Sequence, residues 1–251
     1  MVMQAHGILS LRTWLGHAAF FAAVAVSALM LSGCAAASKD PASRDARYVY
    51  CILKTGPQSA SKTREEREKI FKGHMANMQR LADEGTLIIA GPYSEPHDRT
   101  LRGIFLFNVS TVAEAQALVA TDPGVTAGVF APSLFAVEGS PVLRDMPEIE
   151  RAFLKSQGTP TPKPGEPPPN IRAYVMLSGP DHDAARALLL GSSLRGTIVW
   201  SIRLADTGGG VFIIDADKPD MVRAALPSAA AAGLTIDGWW STKSLERLPR
   251  Q

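Results

Sequence analysis

Three glycine-anchored stretches occur twice in this chain, in the same order. Gly85-Thr86-Leu87-Ile88 returns as Gly196-Thr197-Ile198-Val199, Arg102-Gly103-Ile104-Phe105 as Gly209-Gly210-Val211-Phe212, and Ala127-Gly128-Val129 as Ala232-Gly233-Leu234. The intervals between these anchors agree to within a dozen residues. A repeat of this size is a supersecondary unit that buries its apolar face against a neighbour. With 251 residues, 46% of them hydrophobic and 20% charged, the chain has room for two such units. The formal net charge of +2 is small and evenly spread, which argues against nucleic acid as a partner.

The clearest local pattern lies at 74–92. Ile70, His74, Met78 and Leu81 recur at helical spacing and share one face, with Phe71 and Met75 beside it. Gly85 follows as a left-handed helix stop, 86–90 reads as a buried strand, and Gly91-Pro92 closes it. The histidine is thereby aimed at strands.

Around this stretch the order is regular. Residues 48–53 form a first strand, 56–62 a turn, and 63–69 the charged start of the helix. A loop at 93–102 holds Glu95, His97 and Asp98 and has the length of a lid, although solvated loop is its plainer reading. A strand at 103–109 leads to a helix at 112–120 capped by Ser110 or Thr111, Thr121-Asp122-Pro123-Gly124 breaks it, and a last strand spans 129–137. The sum is β-α-β-β-α-β, a ferredoxin-like unit in the α+β class. Residues 171–248 repeat it in worn form.

The amino-terminal end has a different composition. Arg12, an uncharged apolar run at 18–31 and Leu31-Ser32-Gly33-Cys34 form an export signal, and the apolar run is shorter than the roughly 20 residues a membrane-spanning helix needs. The L-S-G-C sequence resembles a bacterial lipobox. That implies lipid attachment at Cys34, cleavage before it, and a bilayer as partner, in a cell-envelope lipoprotein facing the periplasm, expected at the outer membrane. Several acyl chains at about 0.8 kcal/mol per buried CH2 would hold it there. Lipidation leaves only Cys51, so no disulfide can form within the chain. Residues 35–46 then read as a flexible tether reaching about 40 Å when extended.

Residues 147–155 read as a short charged helix and 158–170 as a proline-rich spacer containing the P-x-x-P match Pro164-Gly165-Glu166-Pro167. Gly208-Gly209-Gly210 precedes a strand rather than a helix, which makes it a hairpin turn and not a phosphate cradle. Asp181-His182-Asp183 reads as a helix cap rather than a metal site, and Trp200, Trp239 and Trp240 as core and cleft wall. No nucleophile elbow, CxxC pair, HExxH or phosphate-binding loop is present, and no metal or cofactor is expected.

Residues 47–143 resemble the YciI-like (YCII-related) family. The resemblance rests on Tyr48-Val49, His74, Leu81, Glu84-Gly85, Leu87, Ala90-Gly91-Pro92, the helix after Ser110, Asp122-Pro123 and Ala127-Gly128-Val129. It implies a ferredoxin-like unit whose sheet faces a second sheet across a barrel-like cleft, normally in a homodimer of dimeric α+β barrel type. Here the second repeat can supply that sheet, giving a pseudo-dimer within one chain, with a homodimer as the other arrangement. The resemblance also implies a catalytic pair in the cleft, His74 and Asp122, and a small cyclic substrate, since a few members act on chlorinated hydroxyaromatic compounds. A histidine whose second ring nitrogen is held by a carboxylate can take and return protons near neutral pH, as dehalogenation or isomerisation requires. Counting back from Gly196 and Gly233 puts Ala185 and Pro227 at the equivalent places, so the second copy is expected to lack the pair.

The expected division is therefore a signal peptide at 1–33, a tether at 34–46, a YciI-like domain at 47–143, a helix and linker at 144–170 and a degenerate repeat at 171–248. The alternative to chemistry at His74 and Asp122 is a non-catalytic binding or envelope-assembly module.

Overall fold

The computed structural model describes residues 46–96, 98–158, 163, 165 and 170–251. Cys34, the export signal, the tether up to residue 45, His97 and all of the P-x-x-P match except Gly165 lie outside the described residues. Among the described residues no helix is long and apolar enough to cross a membrane.

The first unit comprises β1 (Ala46–Thr55), α1 (Arg64–Asp83), β2 (Leu87–Glu95), β3 (Leu101–Phe107), α2 (Val112–Val119), a single-turn α3 (Pro123–Thr126) and β4 (Phe130–Gly139). A 3-10 turn (Pro141–Asp145) leads into α4 (Met146–Ser156). The second unit comprises β5 (Ile171–Gly179), α5 (His182–Leu190), β6 (Ile198–Leu204), β7 (Gly210–Ile214), α6 (Pro219–Ala225) and β8 (Thr235–Thr242), followed by a 3-10 turn (Lys243–Arg247).

Local chemistry explains most of these limits. Thr63 and Glu66 form a reciprocal capping box at the start of α1, and Thr111 with Glu114 does the same for α2. Gly85, Gly128, Gly196 and Gly233 all have φ between 67° and 84°, so the repeated glycines mark turns that a side chain would strain. The 93–102 loop of the sequence reading is shorter in the structure. β2 runs through Pro92, which lies opposite Gly103 where β8 gives the strand no ladder partner, and a missing N–H costs little at such an edge. Asp98 closes the hairpin by accepting from the Thr100 amide and hydroxyl, both at 2.8 Å.

The eight strands close into one barrel in the order β1-β3-β2-β8-β5-β7-β6-β4. Each unit contributes four antiparallel strands in ferredoxin-like order, so this chain supplies both halves of an α+β barrel. Within a unit the ladders are long: β1 and β4 pair from Ala46↔Gly139 to Thr55↔Phe130. The two seams between units are short. β4 meets β6 from Val137↔Leu204 to Gly139↔Ile202, and β2 meets β8 only at Tyr93↔Trp239 and Glu95↔Gly238.

Both faces of the sheet are buried, which is why β1 reads as the nearly unbroken apolar run YVYCIL. Tyr48, Tyr50, Ile104, Leu106, Tyr174, Trp200 and Trp239 fill the barrel interior. Val49, Cys51, Leu53, Phe105 and Phe107 face outward under α1 and α2, with Leu81, Ala115 and Val119 packed on them. Val175, Leu177 and Phe212 do the same in the second unit beneath Ala185, Leu189 and Val222. The two units share detail as well as order: Tyr48 donates its hydroxyl to the Ser140 carbonyl, and Tyr174 its hydroxyl to that of Thr242.

Candidate functional site

Phe105 on β3 shows where the expected cleft is and is not. The interior between the two half-sheets is packed with aromatic side chains, so it is not an open cleft. Ile104 takes the inward position of β3, and the pleat turns Phe105 outward to meet His74 of α1. The histidine therefore stands between helix and sheet, on the outside of the barrel wall.

Three phenylalanines surround the imidazole: Phe105 stacked at 5.9 Å between ring centroids, Phe130 at 5.1 Å and Phe71 at 6.2 Å. Its Nδ1 lies 2.6 Å from Oδ2 of Asp122, with the two side chains 9% and 0% exposed. Asp122 caps α3, its Oδ1 accepting from the Gly124 amide at 2.7 Å. One carboxylate thus ends a helix and orients a histidine.

The residues around the pair follow from tight packing. A Cβ on Gly124 would come within 2.4 Å of the Phe130 ring, and one on Gly73 within 3.0 Å of Pro123. Gly73 lets α1 approach α3, and Asp-Pro-Gly is the shortest sequence that caps, starts and clears that turn. One helical turn on, Asn77 accepts through Oδ1 from Arg80 and from Thr121, which precedes Asp122. Behind the carboxylate, burial and the Asp122 charge push the Cys51 thiol up to about 12, so it stays protonated and unreactive near neutral pH.

With a carboxylate at Nδ1, the neutral ring keeps its proton there, Nδ1–H donating to Asp122, and has its lone pair on Nε2. Nε2 makes no hydrogen bond within the described residues, and His74 lines a cavity of about 1190 Å3. Its walls are α1 through Ile70, Met75 and Met78, the first half of β2, the start of β3, α4 through Met146, Glu150 and Leu154, and β8 at Trp240–Thr242. Past the Tyr93↔Trp239 pairing the two strands stay close and are joined by side chains, with Trp239 Nε1–H donating to the Gly91 carbonyl at 3.0 Å and Ser241 to that of Ala90 at 2.8 Å. α4 covers the opening, tied down by a Ser244–Glu150 hydrogen bond and by Arg247 over Phe153.

The second unit differs from the expectation at one point. Burial at His74, Asn77 and Leu81 is matched by His182, Ala185 and Leu189, and His182 stacks on Phe212 at 4.8 Å as His74 does on Phe105. The counterpart of His74 is His182, not Ala185, because the turn between α5 and β6 is longer than that between α1 and β2. Asp181 is a cap, accepting from the amides of Asp183 and Ala184. The carboxylate beside His182 is Asp183, 72% exposed and bridged to Arg203, so no buried acid holds this second ring. Trp200 and Trp239 are interior, while Trp240 is 39% exposed and lines the cavity. Among the described residues no group of three metal-ligating side chains converges.

Residues 47–133 match the profile of the YCII-related domain, ending inside β4. Among solved structures, the chain is similar to a mutant chlorite dismutase from Candidatus Nitrospira defluvii, with 9% identity, 82% of this chain and 96% of that one covered, and a TM-score of 0.47. It is also similar to a Lactobacillus acidophilus NCFM protein named "putative monooxygenase", with 12% identity, 77% and 92% covered, and a TM-score of 0.38. No curated protein matches the sequence.

Proposed function

We propose, on the premise that residues 47–133 are a YCII-related domain, that the chain binds a small molecule between α1, β2 and α4 and performs acid–base chemistry on it through His74. One observation carries this reading: the buried 2.6 Å contact to Asp122 leaves Nε2 as the open nitrogen on a cavity wall. Nε2 accepts a proton from a substrate carbon or hydroxyl, Asp122 steadies the imidazolium, and the proton returns at a second position or to a leaving group. Isomerisation or dehalogenation of a small cyclic compound fits that sequence.

The test is a 15N-detected spectrum of the imidazole, with solvent deuterium incorporation into cyclic enols, lactones and hydroxyaromatics as the assay. Protonated Nδ1, unprotonated Nε2 and deuterium uptake lost in His74→Gln are the expected results. A proton on Nε2, or uptake unchanged in the variant, overturns the reading. Ligand binding that survives His74→Gln with no deuterium uptake in either protein would instead identify a binding module, a role favoured by the loss of the Asp122 carboxylate at Pro227 in the second unit.

Membrane attachment through lipid on Cys34, facing the periplasm, is proposed on the L-S-G-C sequence alone. Cys34→Ser should move the protein from the detergent phase to the aqueous phase of a two-phase extraction; unchanged partitioning would refute it.

A further inference from the structure

Four cations line the cavity, and among the described residues none of them forms an ion pair: Arg67 on α1, Arg102 on β3, and Arg151 and Lys155 on α4. Arg67 and Arg151 reach only backbone carbonyls of their own helices, and Arg102 donates to the Thr55 hydroxyl at 2.8 Å. The two carboxylates in the wall are already engaged, Glu150 by Ser244 and Asp83 by Gln79. The wall thus has an excess of two positive charges, equal to the formal charge of the whole chain. Arg102 is fixed at the end of β1 through Thr55, and Arg67 lies in the first turn of α1 against the Thr63 carbonyl.

Size is the second constraint. Sites for drug-sized ligands span roughly 300–1000 Å3, and this cavity, at about 1190 Å3, exceeds what one small ring fills. Its floor is apolar and includes Met75 and Met78, whose unbranched side chains adapt to irregular shapes.

We infer that the ligand of this site is an anionic amphiphile, with an extended apolar body along α1 and β2 and a single carboxylate or phosphate held by the arginine rim. This deepens the proposed function and rests on the same cavity. The rim is solvent-exposed, so the attraction is screened by salt and selects charge sign more than it adds affinity.

The probes are sodium dodecanoate, dodecyl phosphate and dodecyltrimethylammonium, each below its micelle concentration, titrated into the full chain by calorimetry with the Trp240 indole and His74 Nε2 signals followed by NMR. Dodecanoate or dodecyl phosphate is expected to bind about tenfold more tightly than the ammonium compound, with the preference shrinking as salt is raised. The stronger of the two anions identifies a carboxylate or a phosphate headgroup. Arg67→Gln/Arg102→Gln, both at exposed positions that leave packing intact, should abolish that preference, and Ala82→Trp, which puts an indole into the cavity, should weaken binding of all three. Equal affinity for both charge signs overturns the inference, as does a preference unchanged in the double variant. If His74 responds to neutral cyclic compounds while charge makes no difference, the ligand class falls and the acid–base reading stands. If dodecanoate moves Trp240 but never His74, the amphiphile site stands and the chemistry falls. Silence at both signals refutes both.

Discussion

Gly91→Ala should lower the stability of this protein by about 4 kcal/mol, roughly 10 °C in thermal unfolding. A Cβ at this position would lie 1.9 Å from the Trp240 carbonyl oxygen and 2.9 Å from Trp239 Nε1. The first of these is backbone, so no rotamer change can relieve it; β2 and β8 would have to separate. Separation would also stretch the two side-chain hydrogen bonds that close the seam, Trp239 to Gly91 and Ser241 to Ala90. Each lost bond adds about 1 kcal/mol to an overpacking cost that is typically about 1–3 kcal/mol. Gly85→Ala provides the control, since that glycine has φ 72° and nothing within 4 Å, and should cost about 1–2 kcal/mol from backbone strain alone. Circular-dichroism melts of the two variants side by side decide the matter. Equal losses would mean that the seam yields easily and that the Ala-Gly-Pro sequence has no special role in joining the units.

The second large effect concerns the His74–Asp122 pair, where a double-mutant cycle separates structural from functional worth. His74→Leu removes the partner of a carboxylate that has no solvent contact, and breaking a buried pair from one side costs about 3–5 kcal/mol. Asp122→Asn keeps a good helix cap on Gly124 and a polar neighbour for the imidazole, so its cost is about 1 kcal/mol. Combining the two leaves a leucine among Phe71, Phe105 and Phe130 and a neutral cap beneath it. That variant is expected to recover to within about 1 kcal/mol of the parent, which makes the coupling about 3 kcal/mol or more. Denaturant titration of the four proteins measures it. A double variant as unstable as the sum of its parents would make the pair a strut of the core. Recovery would show that stability does not require these two residues, leaving the cavity as the reason for them.

How far these features were legible depends on the distance over which each is determined. The repeated glycines, the capping residues and the helix carrying His74 are local, and their spacing alone places them close to where the structure has them. Asp122 is 48 residues from His74 in sequence, and only the family resemblance joined them. His182 escaped because counting from Gly196 assumes equal turns, whereas the apolar Ala185 and Leu189 at helical spacing after it were a usable signal. The cationic wall was not legible at all, since Arg67, Arg102, Arg151 and Lys155 belong to three elements, α1, β3 and α4, that only the tertiary fold brings to one cavity.

The sequence by itself determined two ferredoxin-like units, their order, most of their turns and the buried character of the strand at 86–90. It could not say which face looks into the barrel, because strand alternation separates two sides without naming their neighbours. The tertiary structure decided that. With aromatic residues filling the interior, the imidazole lies outside the wall, beside the cavity between α1, β2 and α4.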